Sequence, residues 1–275
     1  MIRKLVPPTA AAALVAAAAA LSSSGAQARA PRPLISVSAT PAHLTLLGRT
    51  SHRLVVHNNG SHRVSVVATR ASFAFDLYGN AQISPGALLR RSARAWLSVR
   101  PSQLVLRPHE ERVLRIAARQ PRGATAGDHP ALVLLSARGL GHAPVSIRTR
   151  LGVLVFVRVP GRVVRRMAIG RVLVLRSAPR RGIAVTAINR GNLVERLLAG
   201  QVTVALWRGA RLVTALRGRA RDLLPRTRGL VLVPVRRSLH GAFTADVRIA
   251  AQPGRATRPK SPPLRGARRA FALRL

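Results

Sequence analysis

The chain has 275 residues, a formal charge of +40 and no cysteine. All but two of its 47 basic residues are arginine, and only seven acids oppose them. The lack of thiols excludes disulfides and thiolate metal sites, and a surface of one sign attracts polyanions over a Debye length of about 8–10 Å.

The N-terminus opens on the positive pair Arg3-Lys4, followed by an Ala/Leu/Val-rich run over 5–21 and the polar Ser22-Ser23-Ser24-Gly25. Ala26-Gln27-Ala28 then supplies a small-x-small cleavage site. This is the order of a secretory signal peptide, residues 1–28, so the mature chain is expected to begin near Arg29. An uncleaved anchor would need about 20 apolar residues, more than the run provides. The longest later apolar run, 151–157, has seven residues, and 268–275 is too short and too charged to span a bilayer. An extracytoplasmic bacterial protein, secreted or cell-wall associated and without a C-terminal membrane anchor, is the expectation.

Beyond the leader, period-two alternation recurs and helical periodicity is nearly absent. Strands are expected over 34–40, 53–57, 63–69, 112–118 and 131–137. The clearest alternation runs over 147–159. Ile147, Thr149, Leu151, Val153, Val155, Val157 and Val159 share one face, with Arg148, Arg150, Gly152 and Arg158 on the other. Leu154 and Phe156 break the polarity of that second face. Further strands are expected over 171–176, 183–188, 201–207, 211–216, 230–235, 243–249 and 271–275, with a loop over 255–269. Turn residues separate them, as in Asn58-Asn59-Gly60 and Asn189-Arg190-Gly191.

Many short strands without helices predict an all-β fold of two tandem immunoglobulin-like β-sandwich domains. The break at Val159-Pro160-Gly161 divides them into 32–159 and 160–275. The halves echo each other. An Asn-x-Gly turn occurs at Asn58 and at Asn189, and a Leu-x-Pro step before a strand occurs at Leu106-Arg107-Pro108 and at Leu223-Leu224-Pro225. A duplicated sandwich explains both echoes; chance similarity between β-rich sequences is the rival.

Several segments of the first half carry a family pattern. They are Ile35-Ser36-Val37-Ser38 with Pro41, His57-Asn58-Asn59-Gly60, the stretch 73–79, and Trp96-Leu97-Ser98-Val99 with Pro101. Leu104-Val105-Leu106-Arg107-Pro108 and Gly127-Asp128-His129-Pro130-Ala131 complete the set. Through these, residues 34–159 resemble the N-terminal domain of the WxL-interacting-protein family and, more distantly, the pilus-chaperone-like immunoglobulin domains of bacteria. His109 stands where the family's Leu-x-Pro-Gly turn has Gly, and His129 and Pro130 replace the Tyr and its neighbour in Gly-x-Tyr-x-Ala. The resemblance implies an exported, surface-acting, non-enzymatic sandwich. In that family the first domain is associated with peptidoglycan and the second with a host or partner protein.

Catalytic patterns are lacking. The adjacent carboxylates Glu110-Glu111 sit at a strand start and point to opposite faces, so surface ion pairs with Arg107 or Arg112 are expected instead. There is no Gly-x-Ser-x-Gly elbow and no phosphate loop. His57 and His62 flank the Asn58-Asn59-Gly60-Ser61 turn and could face each other across a hairpin, but no third metal ligand accompanies them. Aromatics at 3% argue against single-strand nucleic-acid binding. Trp96 and Trp207 are expected as core or edge packing.

No catalytic residue, cofactor, metal or small-molecule substrate is therefore expected. The function expected is binding or structural, with an anionic cell-wall polymer or an envelope protein as partner and peripheral contact with an anionic membrane surface. The partner-binding residues expected are Arg148, Arg150, Leu154, Phe156 and Arg158, on a strand over 148–157 that could accept a partner strand. The competing reading makes this strand an interior member of its sheet. Two other functions stay open: a chaperone for surface-subunit assembly, with basic residues in a cleft near Pro160 holding a C-terminal carboxylate, and a non-specific polyanion or nucleic-acid binder.

Overall fold

The computed structural model describes residues 35–83, 91–140, 148–176, 182–235, 239–251 and 263–275. The leader expected over 1–28, and Ile147, lie outside them. The described residues hold strands and no α-helix, and no helix among them is long and apolar enough to cross a membrane.

The first sandwich pairs two sheets. One contains β1 (Val37–Thr40), β3 (Ser51–Asn58), β9 (Glu111–Ala118) and β7 (Leu97–Arg100), in that order. The other contains β2 (His43–Leu47), β11 (Arg148–Val159), β10 (Gly127–Gly139), β4 (Val64–Ala71) and β8 (Gln103–Leu106). Neighbours are antiparallel except β2, which runs parallel to β11. The first strand is split between the sheets at Pro41, and the remaining order is the immunoglobulin arrangement of ABED over GFC. Alternation places Leu54, Val56, Leu114, Ile116, Val133, Leu135, Val153 and Val155 between the sheets, all nearly inaccessible. A hairpin of β5 (Phe73–Phe75) and β6 (Ala81–Ile83) stands outside both sheets.

The second sandwich repeats the plan. Its first sheet is β12 (Met167–Leu175), β13 (Gly182–Asn189) and β18 (Arg228–Pro234). It faces a sheet of β16 (Arg211–Arg217), β15 (Val202–Arg208), β19 (Ala242–Ile249) and β20 (Ala267–Arg274). A short pair, β14 (Glu195–Leu197) with β17 (Arg221–Leu223), adds a third layer edge. A second core forms around Ile183, Val185, Val204, Leu206, Val231, Val233 and Val247. Both sandwiches belong to one compact unit, Pro33–Leu275.

Two departures from the expected strands have physical causes. β20 begins at Ala267, because Ala267 to Arg269 continue the pairing with Ile249 to Val247 and so leave the expected loop. β10 continues through Pro130, although proline cannot donate to a ladder. Pairing with β4 starts only at Leu132, so the missing N–H of Pro130 falls on an edge with no strand beside it, and its carbonyl accepts the N–H of Ala93 at 3.0 Å.

The sequence echoes between the halves meet in space. Asn58 is fully buried, and its Nδ2 donates to the carbonyls of His62 at 2.8 Å and Arg107 at 2.9 Å, while its Oδ1 accepts Gly60 N–H at 3.0 Å. Asn189, equally buried, donates to Leu193 at 2.8 Å, Leu223 at 3.2 Å and Leu224 at 3.1 Å, and accepts Gly191 N–H at 2.9 Å. In each sandwich one amide clips its own turn to the Leu-x-Pro turn. Those second turns also match. Pro108 and Pro225 are followed by His109 and Arg226 at φ 62° and 59°, and Glu110 and Thr227 N–H close back on Arg107 and Leu224. Proline followed by a left-handed residue is a type II turn, which explains why glycine is usual in that place. Each amide is itself buried, and the bonds of Asn189 are shielded from water throughout, so a lost partner there is not replaced by solvent.

Asn58→Ala and Asn189→Ala are each expected to lower the unfolding free energy, by about 1–3 kcal/mol, with the larger loss at Asn189, whose capped carbonyls are the more buried. Asn→Asp should not rescue, because the donor is still missing; denaturant titration measures both. His109→Gly should raise stability by up to about 1 kcal/mol, as glycine reaches positive φ without the Cβ penalty. Unchanged or lower stability would contradict the turn assignment.

Candidate partner-binding edge

β11 is the strand on which the partner-binding residues were expected, and its two ends differ. β10 pairs with it throughout, from Arg138 opposite Arg148 to Gly127 opposite Val159. On its other side β2 pairs only from Leu154 to Arg158. The Leu154 N–H donates to the Ala42 carbonyl at 3.0 Å, so alternation turns the backbone groups of Gly152 and Arg150 toward the same side, where β2 has ended. The strand is thus interior at one end and an edge at the other.

The five expected residues share one face of β11, and the structure divides them. Arg148 and Arg150 are exposed beside the open edge. Leu154 and Phe156 are buried in a third apolar cluster with Phe73, Leu132 and Leu224 from the second sandwich, and the Phe73 and Phe156 rings lie 6.1 Å apart. Arg158 is held in a bidentate pair with Asp128, at 2.6 and 2.9 Å. Leu154, Phe156 and Arg158 therefore serve the junction between the sandwiches.

On the inner face, Leu151 of the open half is only partly buried, as are Ile35, Val37 and Ala39 at the neighbouring β1. β1 and β11 lie beside each other at this side of the core.

The junction is polar as well as apolar. The Asp128 carboxylate, 1% exposed, accepts the Val194 N–H at 2.8 Å besides Arg158. The Asn192 amide donates to the carbonyls of Ala126 at 3.0 Å and Arg162 at 2.8 Å, and accepts the Val164 N–H at 2.7 Å. A side chain at Gly127, which sits at φ 120°, would overlap Asn192. Behind this, Arg165 and Glu195 form a second buried bidentate pair at 2.7 Å. On the far side, the Asp76 carbonyl accepts Arg221 Nη2 at 2.7 Å and the Leu77 carbonyl accepts Leu230 N–H at 2.8 Å.

Arg221, which no sequence pattern marked, lines a cleft of about 400 Å³ with His43, Tyr78, Leu154, Arg196 and Asp222. Burial pushes its pKa down, against the attraction of Asp76 and Asp222, and its buried Nε has no hydrogen-bond partner among the described residues.

The scarce acids have structural partners. Hydrogen bonds from the Asn80 side chain, and from the backbone N–H groups of Asn80, Gly79 and Tyr78, hold the Asp76 carboxyl below the usual range. Glu110 is lowered by the Arg107 N–H and by Arg112, its ion-pair partner at 2.7 Å. Asp246 is lowered by Arg268. The histidines beside the first turn bond locally: His57 Nδ1 lies 2.6 Å from Asn59 Oδ1 and His62 Nδ1 lies 3.1 Å from Ser61 Oγ. No group of three or more metal-ligating side chains occurs among the described residues.

No family model matches the chain, and no curated protein matches it. Solved structures similar to it are pilus chaperones. The class 5 fimbriae chaperone CfaA aligns over 86% of this chain and 98% of its own, at 11% identity and TM-score 0.48. A Salmonella enterica SafA pilin–SafB chaperone complex aligns over 86% and 97%, at 13% identity and TM-score 0.45. The E. coli chaperone DraB aligns over 88% and 99%, at 12% identity and TM-score 0.43. Likeness at this level assigns no residue and no ligand to this chain.

Asp128→Ala is expected to destabilise the protein by about 2–3 kcal/mol, because it strands a partly buried guanidinium and a backbone N–H. Since those groups join the two sandwiches, calorimetry should resolve two transitions in the variant where the parent shows one. A single, unshifted transition would contradict the role assigned to Asp128.

Proposed function

We propose that this chain is an exported, non-enzymatic binding protein of the bacterial envelope that engages an extended segment of a surface protein by strand addition on β11. The observation carrying this reading is the half-open edge. Among the described residues no strand pairs with one side of β11 from Arg148 to Val153, and Ile35, Val37, Ala39 and Leu151 beside it are only partly buried. A segment with alternating apolar residues would satisfy the free backbone groups and fill that gap. The exposed Arg148 and Arg150 oppose pairing with a second copy of the same edge and favour an acidic or neutral strand.

Subunit chaperoning is the form of this reading that the cleft favours. His43 and Leu154 both line it, so it begins where the open edge ends. A segment laid on β11 with its terminus at that point would bring its carboxylate to the cleft that Arg196 and Arg221 line.

Capture from envelope extract tests the reading. The purified chain should retain a protein partner at high salt, with the Arg150 and Gly152 amides protected from hydrogen exchange in the complex. Arg150→Pro removes the outward N–H and should abolish capture, while Arg150→Gln should keep it. Capture that survives the proline, or that washes off as salt rises, would sink the strand-addition reading.

A further inference from the structure

The outer face of the four-stranded sheet in the first sandwich carries a row of arginines set by register. Arg53 on β3 stands directly opposite Arg115 on β9, and Arg115 stands directly opposite Arg100 on β7. All three are exposed, while the alternating residues Leu54, Leu114 and Val99 are buried in the core. Adjacent strands lie about 4.8 Å apart, so three guanidinium groups project from a line about 10 Å long.

Cross-strand like charges repel, and a chain with scarce acids could still place one beside them. It does so elsewhere. In the second sandwich Arg248 faces Arg268, and Asp246 takes Arg268 at 2.6 Å. Among the described residues, no ion pair relieves the first-sandwich row. Its cross-strand neighbours on that face are Val55 and Val113 on one side, and Ser51, Ala117 and Ser98 on the other. The nearest acid on the face, Glu111, is four residues along β9 from Arg115 and lies opposite His57.

We propose that Arg53, Arg115 and Arg100 form a docking row for a linear phosphate polymer. A single small anion would neutralise one or two of the three, whereas a chain of phosphates matches a line. Each phosphate stays ionised and has oxygens on more than one side, so neighbouring guanidinium forks can share it. The row lies on the sheet that does not contain β11, so this site does not depend on the strand-addition reading.

The probe is long-chain inorganic polyphosphate, with poly(glycerol phosphate) as a second arm, titrated over a range of salt. The triple variant Arg53→Gln, Arg100→Gln, Arg115→Gln should flatten the log affinity against log salt slope by about 2–3. A control that removes the same charge from scattered exposed positions, Arg171→Gln, Arg211→Gln and Arg219→Gln, should change it by less than half as much. Polyphosphate should raise the melting temperature of the parent and the control but not of the row variant. This keeps loss of binding separate from loss of fold. Binding of either polymer that depends on the row supports the proposal, and the stronger arm identifies the source. Equal loss in the control would show attraction by net charge and overturn it. Row-dependent binding of duplex DNA or of anionic phosphatidylglycerol vesicles, with neither polymer bound, would overturn it too.

Discussion

The buried Asp128 carboxylate is the contact on which the relation between the two halves depends. It is bound at once by a guanidinium from its own sheet and by a backbone N–H from the other sandwich. A charge in so dry a place survives only with its hydrogen-bonding positions occupied, so the same atoms that neutralise it also fix where the second sandwich must sit. In a chain with seven acids, placing one of them here rather than on the surface is a large commitment. Glu195, paired with Arg165 directly behind, is a second. Arginine far outnumbers the acids that stay on the outside.

That division separates two kinds of interaction in the molecule. Contacts between the sandwiches are short, buried and directional, and they include the apolar patch of Phe73, Leu132, Leu154, Phe156 and Leu224. Outward-facing groups are long, cationic and solvated. Both β11 and the arginine row show the result: where the chain has a partner inside itself the chemistry is specific, and where these two features face solvent the charge is positive.

Much of this was legible in the amino-acid sequence. The alternation over 147–159 marked the strand and its inner face, and the interruption at Leu154 and Phe156 was visible. What covers those two side chains was not, because β5 and Leu224 arrive from distant parts of the chain and alternation says nothing about a third layer. The repeated Asn-x-Gly and Leu-x-Pro signals were noticed as separate echoes. Their connection through one amide in each half needs the fold, since Asn58 and Arg107 are 49 residues apart. Arg221 left no trace in a sequence holding so many arginines. β10 was expected to begin at Ala131, and its extension back through Pro130 is explained by β4 beginning to pair only at Leu132.

The unequal pairing of β11 has a thermodynamic side. Its far half is locked by β2, the Phe156 ring and Arg158, so the near half is held extended without help from any visitor. A segment arriving there meets a rigid template, and the entropy cost of ordering falls almost wholly on the newcomer. If a segment binds there as proposed, affinity would be governed by how stiff or floppy that peptide is beforehand, which would make this edge a discriminator of foldedness.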